Sequence, residues 1–60
     1  MALIIPVRGF TPVVGKDTFL AENATLVGDV TLGEGCSVWF NTVLRGDVNT
    51  ITIGDRVNIQ

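Results

Sequence analysis

The sequence of 60 residues contains no histidine, no tyrosine and a single cysteine, Cys36. One cysteine cannot form a disulfide within the chain, and without histidine no neighbouring imidazole can activate its thiol as a nucleophile. Basic residues number four against six acidic ones, so the chain lacks the positive surface with which proteins bind nucleic acid or anionic membranes. We therefore expect neither nucleic acid nor a membrane as a partner.

Long apolar runs are also absent. The apolar stretch at the N-terminus is interrupted by Pro6 and has no basic leader, so it fits neither a signal peptide nor a membrane span. The sequence therefore predicts a cytoplasmic protein. Its hydrophobic fraction of 47% is nevertheless high for so small a chain, which predicts apolar surface left over for a partner.

What the sequence does contain is a repeat of six residues. An aliphatic residue recurs at every sixth position: Leu20, Leu26, Leu32, Val38 and Leu44. A second series, of mostly smaller residues, lies four positions after each of these: Ala24, Val30, Cys36, Thr42 and Val48. Six is a multiple of the two-residue period of a strand but not of the 3.6-residue period of a helix. The pattern therefore predicts strands that bend every six residues, with both series pointing inward.

This repeat predicts an all-β fold, a parallel β-helix built from hexapeptide repeats. Three hexads close one coil, so Leu26 should lie below Leu44 and Leu20 below Val38. We expect residues 1–60 to form a single unit, incomplete at about two coils, that continues in a longer chain. Within it, residues 1–18 would supply an N-terminal strand and cap, and residues 19–60 the coils. An antiparallel β-domain is the alternative, but it explains alternation and not a strict period of six.

The register of the repeat slips after Leu44. The next aliphatic residue followed by glycine, Ile53, comes nine places later instead of six, so three residues are inserted between positions 46 and 52. An insertion in a coil usually emerges as a loop, and loops carry function more often than core positions do. Arg45 and Asp47 are two residues apart beside the slip, so on a strand they share a face and can form an ion pair.

Around this slip the sequence resembles the gamma-class carbonic anhydrases. The resemblance is carried by Gly28-Asp29-Val30, Leu32-Gly33-Glu34, the run from Ser37 to Asp47, Ile53-Gly54 and Asn58-Ile59-Gln60. It implies a left-handed parallel β-helix that forms a homotrimer. It also implies a metal, zinc or else iron or cobalt, held by histidines at the subunit interface. The implied reaction is the reversible hydration of carbon dioxide to bicarbonate.

The resemblance assigns four site residues. Arg45 and Asp47 match the interface ion pair beside the site, and a solvated pair without a catalytic role is the alternative for them. Gln60 matches the polar residue that hydrogen-bonds the metal-bound water, and Asn58 is a supporting match. A neutral amide can orient such a water toward carbon dioxide without adding charge. No metal ligand and no cofactor-binding residue is assigned, because the family's ligands are histidines and the chain has none.

Three functions share this scaffold. The first is a metal-dependent carbonic anhydrase whose metal-binding part is missing from these residues, which would make residues 1–60 inactive alone. The second is a non-catalytic β-helix assembly subunit, and the third is a hexapeptide-repeat acyltransferase or thioesterase. Cys36 is expected to be a buried structural thiol. Trp39, one place after Val38, is expected to point outward into a subunit contact.

Overall fold

The computed structural model describes residues 2–60, and Met1, the first residue of the expected N-terminal strand and cap, lies outside the described residues. The described residues form seven strands: β1 (Leu3–Ile5), β2 (Val13–Val14), β3 (Phe19–Leu20), β4 (Thr25–Leu32), β5 (Ser37–Val38), β6 (Val43–Ile53) and β7 (Asn58–Ile59). All the pairings between these strands are parallel. No helix long and apolar enough to cross a membrane occurs in this part of the chain.

The strands stack as successive coils. Leu26 pairs with Leu44 and Leu20 with Val38, as the repeat predicts, so Leu44 and Val38 lie over the residues 18 places earlier. Two sheets result, one with the order β3-β5-β7 and one built around β4. Strand β4 pairs with β1 and then β2, and also with β6, so it lies in the middle of its sheet.

Side chains of β4 alternate between buried and half-buried along its whole length, as in a bent strand with one face in the core. The core consists of Ala24, Leu26, Val30, Leu32 and Val38, all at most 2% exposed. Burial of each large aliphatic side chain contributes about 1.5–3 kcal/mol to folding. Leu20, Leu44 and Ile59 pack against this core and are partly buried. The inward positions predicted from the repeat are therefore confirmed from Leu20 to Leu44 for the aliphatic series, and for Ala24 and Val30 in the second series.

One corner of the coil is occupied by residues with a left-handed backbone. Asp17, Gly35 and Arg56 have φ angles of 56°, 68° and 53°, and they fall at matching places in successive coils. Asparagine, aspartate and glycine adopt this conformation more readily than other residues do, whereas arginine is an uncommon choice. At this corner, the chain therefore turns from a strand of the β4 sheet to a strand of the β3-β5-β7 sheet.

The register slip lies between positions 46 and 51. Gly28 pairs with Gly46, but Val30 pairs with Ile51, so residues 47–50 lie opposite Asp29 alone. The insertion is thus three residues, as predicted. Val48, expected inside with the smaller series, is instead 75% exposed, and Ile51 takes the inward place over Val30. The expectation for Val48 is wrong because the slip comes before that position. Above the insertion the stacking is regular again, with Ile59 over Val38.

Candidate functional site

Arg45 and Asp47 lie on the outer face of β6 at the beginning of the insertion. Leu44 packs against the core and Gly46 is buried, so the residues that alternate with them face outward. The Arg45 Nη2 donates a hydrogen bond to Asp47 Oδ2 at 2.6 Å. The predicted ion pair is therefore present within one chain.

The pair holds both residues in their charged forms. The hydrogen bond from Arg45 is the main cause that lowers the pKa of Asp47, and partial desolvation opposes it. Backbone N–H groups of Asp47 and Val48 add to the lowering. The same hydrogen bond raises the pKa of Arg45. The Arg45 side chain is 67% exposed, so water screens the pair and it contributes little to stability.

The backbone beside this pair is packed too closely for a side chain. A Cβ on Gly46 would lie 2.5 Å from the carbonyl oxygen of Asp29. The inserted residues fold back over Asp29, and Thr50 Oγ1 donates a hydrogen bond to Asp29 Oδ2 at 2.6 Å. The glycine thus allows the loop to form, and the Thr50 hydrogen bond closes it.

The insertion forms one wall of a cleft of about 210 Å³. The other wall is the short segment Val7–Phe10, which is closed by antiparallel backbone hydrogen bonds between Val7 and Phe10. Asp47 lines this cleft as well as pairing with Arg45, and the cation on the opposite wall is Arg8. The cleft therefore presents charged groups of both signs at the outer end of the Arg45–Asp47 pair.

Asn58 lies on β7 of the other sheet, and Gln60 directly follows that strand. Both are exposed, and they flank the inward residue Ile59 along the chain. Asn58 Oδ1 accepts a hydrogen bond from Trp39 Nε1 at 2.6 Å. Of the four predicted site residues, Arg45 and Asp47 are joined by a hydrogen bond on β6, whereas Asn58 lies on the other sheet and Gln60 directly follows its strand.

Sequence reasoning identified the Arg45–Asp47 pair but neither the partner of Asn58 nor the hydrogen bond that closes the inserted loop. Trp39 is exposed and points outward, as expected, but its bond to Asn58 was not predicted. The Asp29–Thr50 bond was not predicted either. The signal for it in the sequence was the three-residue insertion, after which stacked residues are 21 places apart instead of 18.

Residues 2–60 do not offer a site for a metal ion. No group of three or more histidine, cysteine, aspartate or glutamate side chains converges within them. The soft donor, Cys36, is buried in the coil as predicted, and its Sγ donates to the carbonyl oxygen of Gly54 at 3.1 Å. Asp29 and Asp47 are hydrogen-bonded to Thr50 and Arg45. The donor set present here therefore does not fit the zinc, iron or cobalt ion that the resemblance implies.

Comparisons with known proteins agree with this architecture. Residues 11–46 match the family described as "Bacterial transferase hexapeptide (six repeats)". Such repeats indicate a left-handed β-helix, of which this chain forms an incomplete part.

Several curated proteins are similar over most of the chain. A carbonic anhydrase of Geobacillus kaustophilus is 52% identical over 97% of this chain, which covers 32% of that protein. Gamma carbonic anhydrase 2, mitochondrial, of Arabidopsis thaliana is 52% identical over 83% of this chain and 18% of its own length. The uncharacterized transferase YtoA of Bacillus subtilis is 48% identical over 97% of this chain and 34% of its own. The chain thus spans about a third or less of these relatives.

Proposed function

Because this chain belongs to the bacterial transferase hexapeptide family, and within it resembles the gamma carbonic anhydrases, we propose that it is part of a metal-dependent enzyme that hydrates carbon dioxide to bicarbonate. The observation that carries the proposal is 52% identity to a carbonic anhydrase over 97% of the chain. The intact Arg45–Asp47 pair supports it, since these two residues belong to the segment that resembles the family most closely.

The proposed chemistry divides between this chain and the rest of the protein. Residues 2–60 do not fit a metal site, so the proposed zinc, iron or cobalt ion takes its ligands, histidines in this proposal, from parts of the protein outside these residues. Water adds to the carbon of carbon dioxide, and the products are bicarbonate and a proton. In this proposal Gln60 hydrogen-bonds the attacking oxygen, because a neutral amide orients it without adding charge. Asn58 supports Gln60 in this role.

We propose a homotrimer in which the outer face of β6 meets a second copy of the chain. Val43, two places before Arg45 on this face, is 55% exposed, so an apolar side chain lies next to the ion pair. Interfaces combine apolar contact with arginine more often than the remaining surface does. Arg45 and Asp47 would then order this contact, and the free chain already holds them in the paired arrangement.

The experiment that tests the function uses the full-length protein that contains these residues. Bound zinc, iron and cobalt are measured together, and the rate of pH change is followed after carbon dioxide is added. We expect one bound metal ion per subunit and a rate well above the uncatalysed one. A protein with a full complement of metal and no hydration activity would contradict the proposal.

A second candidate is an acyltransferase or thioesterase, which the relative named as a transferase favours. An acyl-transfer enzyme of this family would release coenzyme A, so thiol release from acyl-coenzyme A is the discriminating assay. A metal-free protein that is inactive in both assays would favour the non-catalytic assembly subunit. We propose that the protein is located in the cytoplasm. The plant relatives carry "mitochondrial" in their names, so cell fractionation is the test that decides between the two locations.

A further inference from the structure

The indole of Trp39 contacts the coils on both sides of its own. It follows the inward residue Val38, and 38% of it is exposed. On one side its ring centroid lies 4.9 Å from that of Phe19, with the rings tilted by 51°. On the other side its Nε1 donates to Asn58 Oδ1 at 2.6 Å. One side chain therefore connects three successive coils, and its polar atom is directed at a predicted site residue.

The chemistry of the indole decides which end of the Asn58 amide it holds. An indole N–H can only donate, so its partner at 2.6 Å must be the amide oxygen and not the nitrogen. A carboxamide is planar, so fixing Oδ1 also fixes the position of Nδ2. What Asn58 can then offer to another group is a pair of N–H donors.

Gln60 is the predicted site residue two positions after Asn58 along the chain. The backbone N–H of Trp39 donates to the carbonyl oxygen of Ile59 at 2.9 Å, which fixes β7 directly over the segment that carries the indole. Asn58 and Gln60 flank Ile59 along the chain, and both are exposed. Two oxygen acceptors are candidates for an N–H of Asn58: the side-chain carbonyl of Gln60 and, under the proposed function, an oxygen of bound bicarbonate.

We propose that Trp39 is a positioning residue of this site, which holds Asn58 as a hydrogen-bond donor toward an oxygen beside Gln60. The inference rests on the proposed function for its catalytic consequence. Packing alone does not explain the arrangement, because a phenylalanine could also contact the ring of Phe19 but would not supply the N–H group. The indole nitrogen therefore has a role that is separable from the ring.

The test compares Trp39→Phe with Phe40→Leu in the full-length protein. Phe40 is the adjacent exposed aromatic residue, so its replacement controls for the loss of aromatic surface. Side-chain amide resonances of Asn58 and Gln60 are assigned by NMR, and hydration kinetics are measured with the metal content. We expect Trp39→Phe to shift the Asn58 amide resonances and to lower kcat about tenfold with little change in KM. Phe40→Leu should leave both unchanged.

A double-mutant comparison separates positioning from structural damage. In an Asn58→Ala background, Trp39→Phe should lower kcat no further, because the amide it positions is absent. A Gln60→Ala background identifies the acceptor. If the N–H groups of Asn58 bond to the Gln60 carbonyl, Gln60→Ala shifts the Asn58 amide resonances, and if they bond to substrate, added bicarbonate shifts them.

Two results would overturn the inference. One is an Asn58 amide that keeps its resonances in Trp39→Phe, and the other is an equal loss of kcat with and without Asn58. If the wild-type protein had no hydration activity, the proposed function would fail, and the amide resonances alone would then decide whether Trp39 positions Asn58.

Discussion

The hydroxyl of Thr50 donates to the carboxylate of Asp29 at 2.6 Å across the point where the coil gains three residues. Four residues of β6 lie opposite the single residue Asp29 here, and this hydrogen bond is the side-chain contact that closes the loop they form. The Arg45–Asp47 pair lies at the start of the same loop. The geometry of the pair therefore depends on whether the Asp29–Thr50 hydrogen bond holds the loop closed.

We therefore expect Thr50→Val to destabilise the loop. The loss of one exposed hydrogen bond should lower the free energy of unfolding by about 0.5 kcal/mol, measured by urea denaturation of the full-length protein. Thr52→Val is the matched control, since Thr52 is also exposed on β6 but has returned to the regular register over Thr31. An equal effect of the two substitutions would contradict a special role for the Asp29–Thr50 bond.

The core assignment predicts opposite outcomes for two aspartate substitutions. Leu32→Asp should abolish folding, because an unpaired charge would be buried in the apolar interior. Val48→Asp should change the free energy of unfolding by less than about 0.5 kcal/mol, because its side chain is 75% exposed. Circular dichroism and solubility show whether each variant folds, and urea denaturation gives the free energy of unfolding of Val48→Asp. A folded Leu32→Asp variant, or an unfolded Val48→Asp variant, would mean that the register is wrong.

The Arg45–Asp47 pair predicts a pH dependence that is confined to acid. The pKa of Asp47 is lowered in the folded chain. Its contribution to stability is therefore complete above the ordinary value of 3.8, and it is lost as the pH falls through the lower folded pKa. The raised pKa of Arg45 keeps the guanidinium charged throughout the neutral range. An NMR titration of the Asp47 carboxyl carbon should have its midpoint below 3.8.

Substitution of the cation tests the cause of this shift. In Arg45→Gln the midpoint of Asp47 should rise toward its ordinary value, because the first cause of the lowering is removed. Arg56→Gln removes one positive charge at a corner of the coil and should leave the midpoint in place. A midpoint that responds equally to both variants would point to the net charge of the chain instead of the pair.

The proposed role of Gln60 predicts a kinetic defect without loss of metal. Gln60→Ala in the full-length protein should lower kcat about 10- to 100-fold, since an oriented hydrogen bond to the reacting oxygen is removed. Metal content and the sedimentation of the proposed trimer should be unchanged. Loss of the metal together with activity would instead place Gln60 among the groups that hold the site together.

The isolated segment should be inactive. We expect residues 1–60, expressed alone, to bind no stoichiometric zinc, iron or cobalt and to give no hydration above the background rate. The chain contains no histidine, so copies of it cannot complete a ligand set between them. Stoichiometric metal with activity in this segment would contradict the assignment of the ligands to the rest of the protein.

Much of this architecture is encoded in local spacing, and the exceptions have physical reasons. The stacking of Leu26 below Leu44 follows from the period alone. Val48 could not be placed from the sequence, because Val48 and Ile51 are both β-branched and apolar and only the position of the slip decides which one points inward. The Arg45–Asp47 pair was predictable from alternation within one strand. The Trp39–Asn58 bond was not, because it depends on the length of the insertion and on the tilt of the indole.

The regular stacking above the insertion has a consequence for how such proteins change over time. Val38 and Ile59 are stacked as closely as Leu20 and Val38, although three more residues separate the first two along the chain. Each coil is therefore aligned with the coil beneath it through backbone contacts. The three extra residues between these two coils have not changed that alignment. Mutation can therefore lengthen or shorten the loop of residues 47–50 while the interior of the coil stays intact. Related proteins can then differ in the chemistry of this loop and share the same coil.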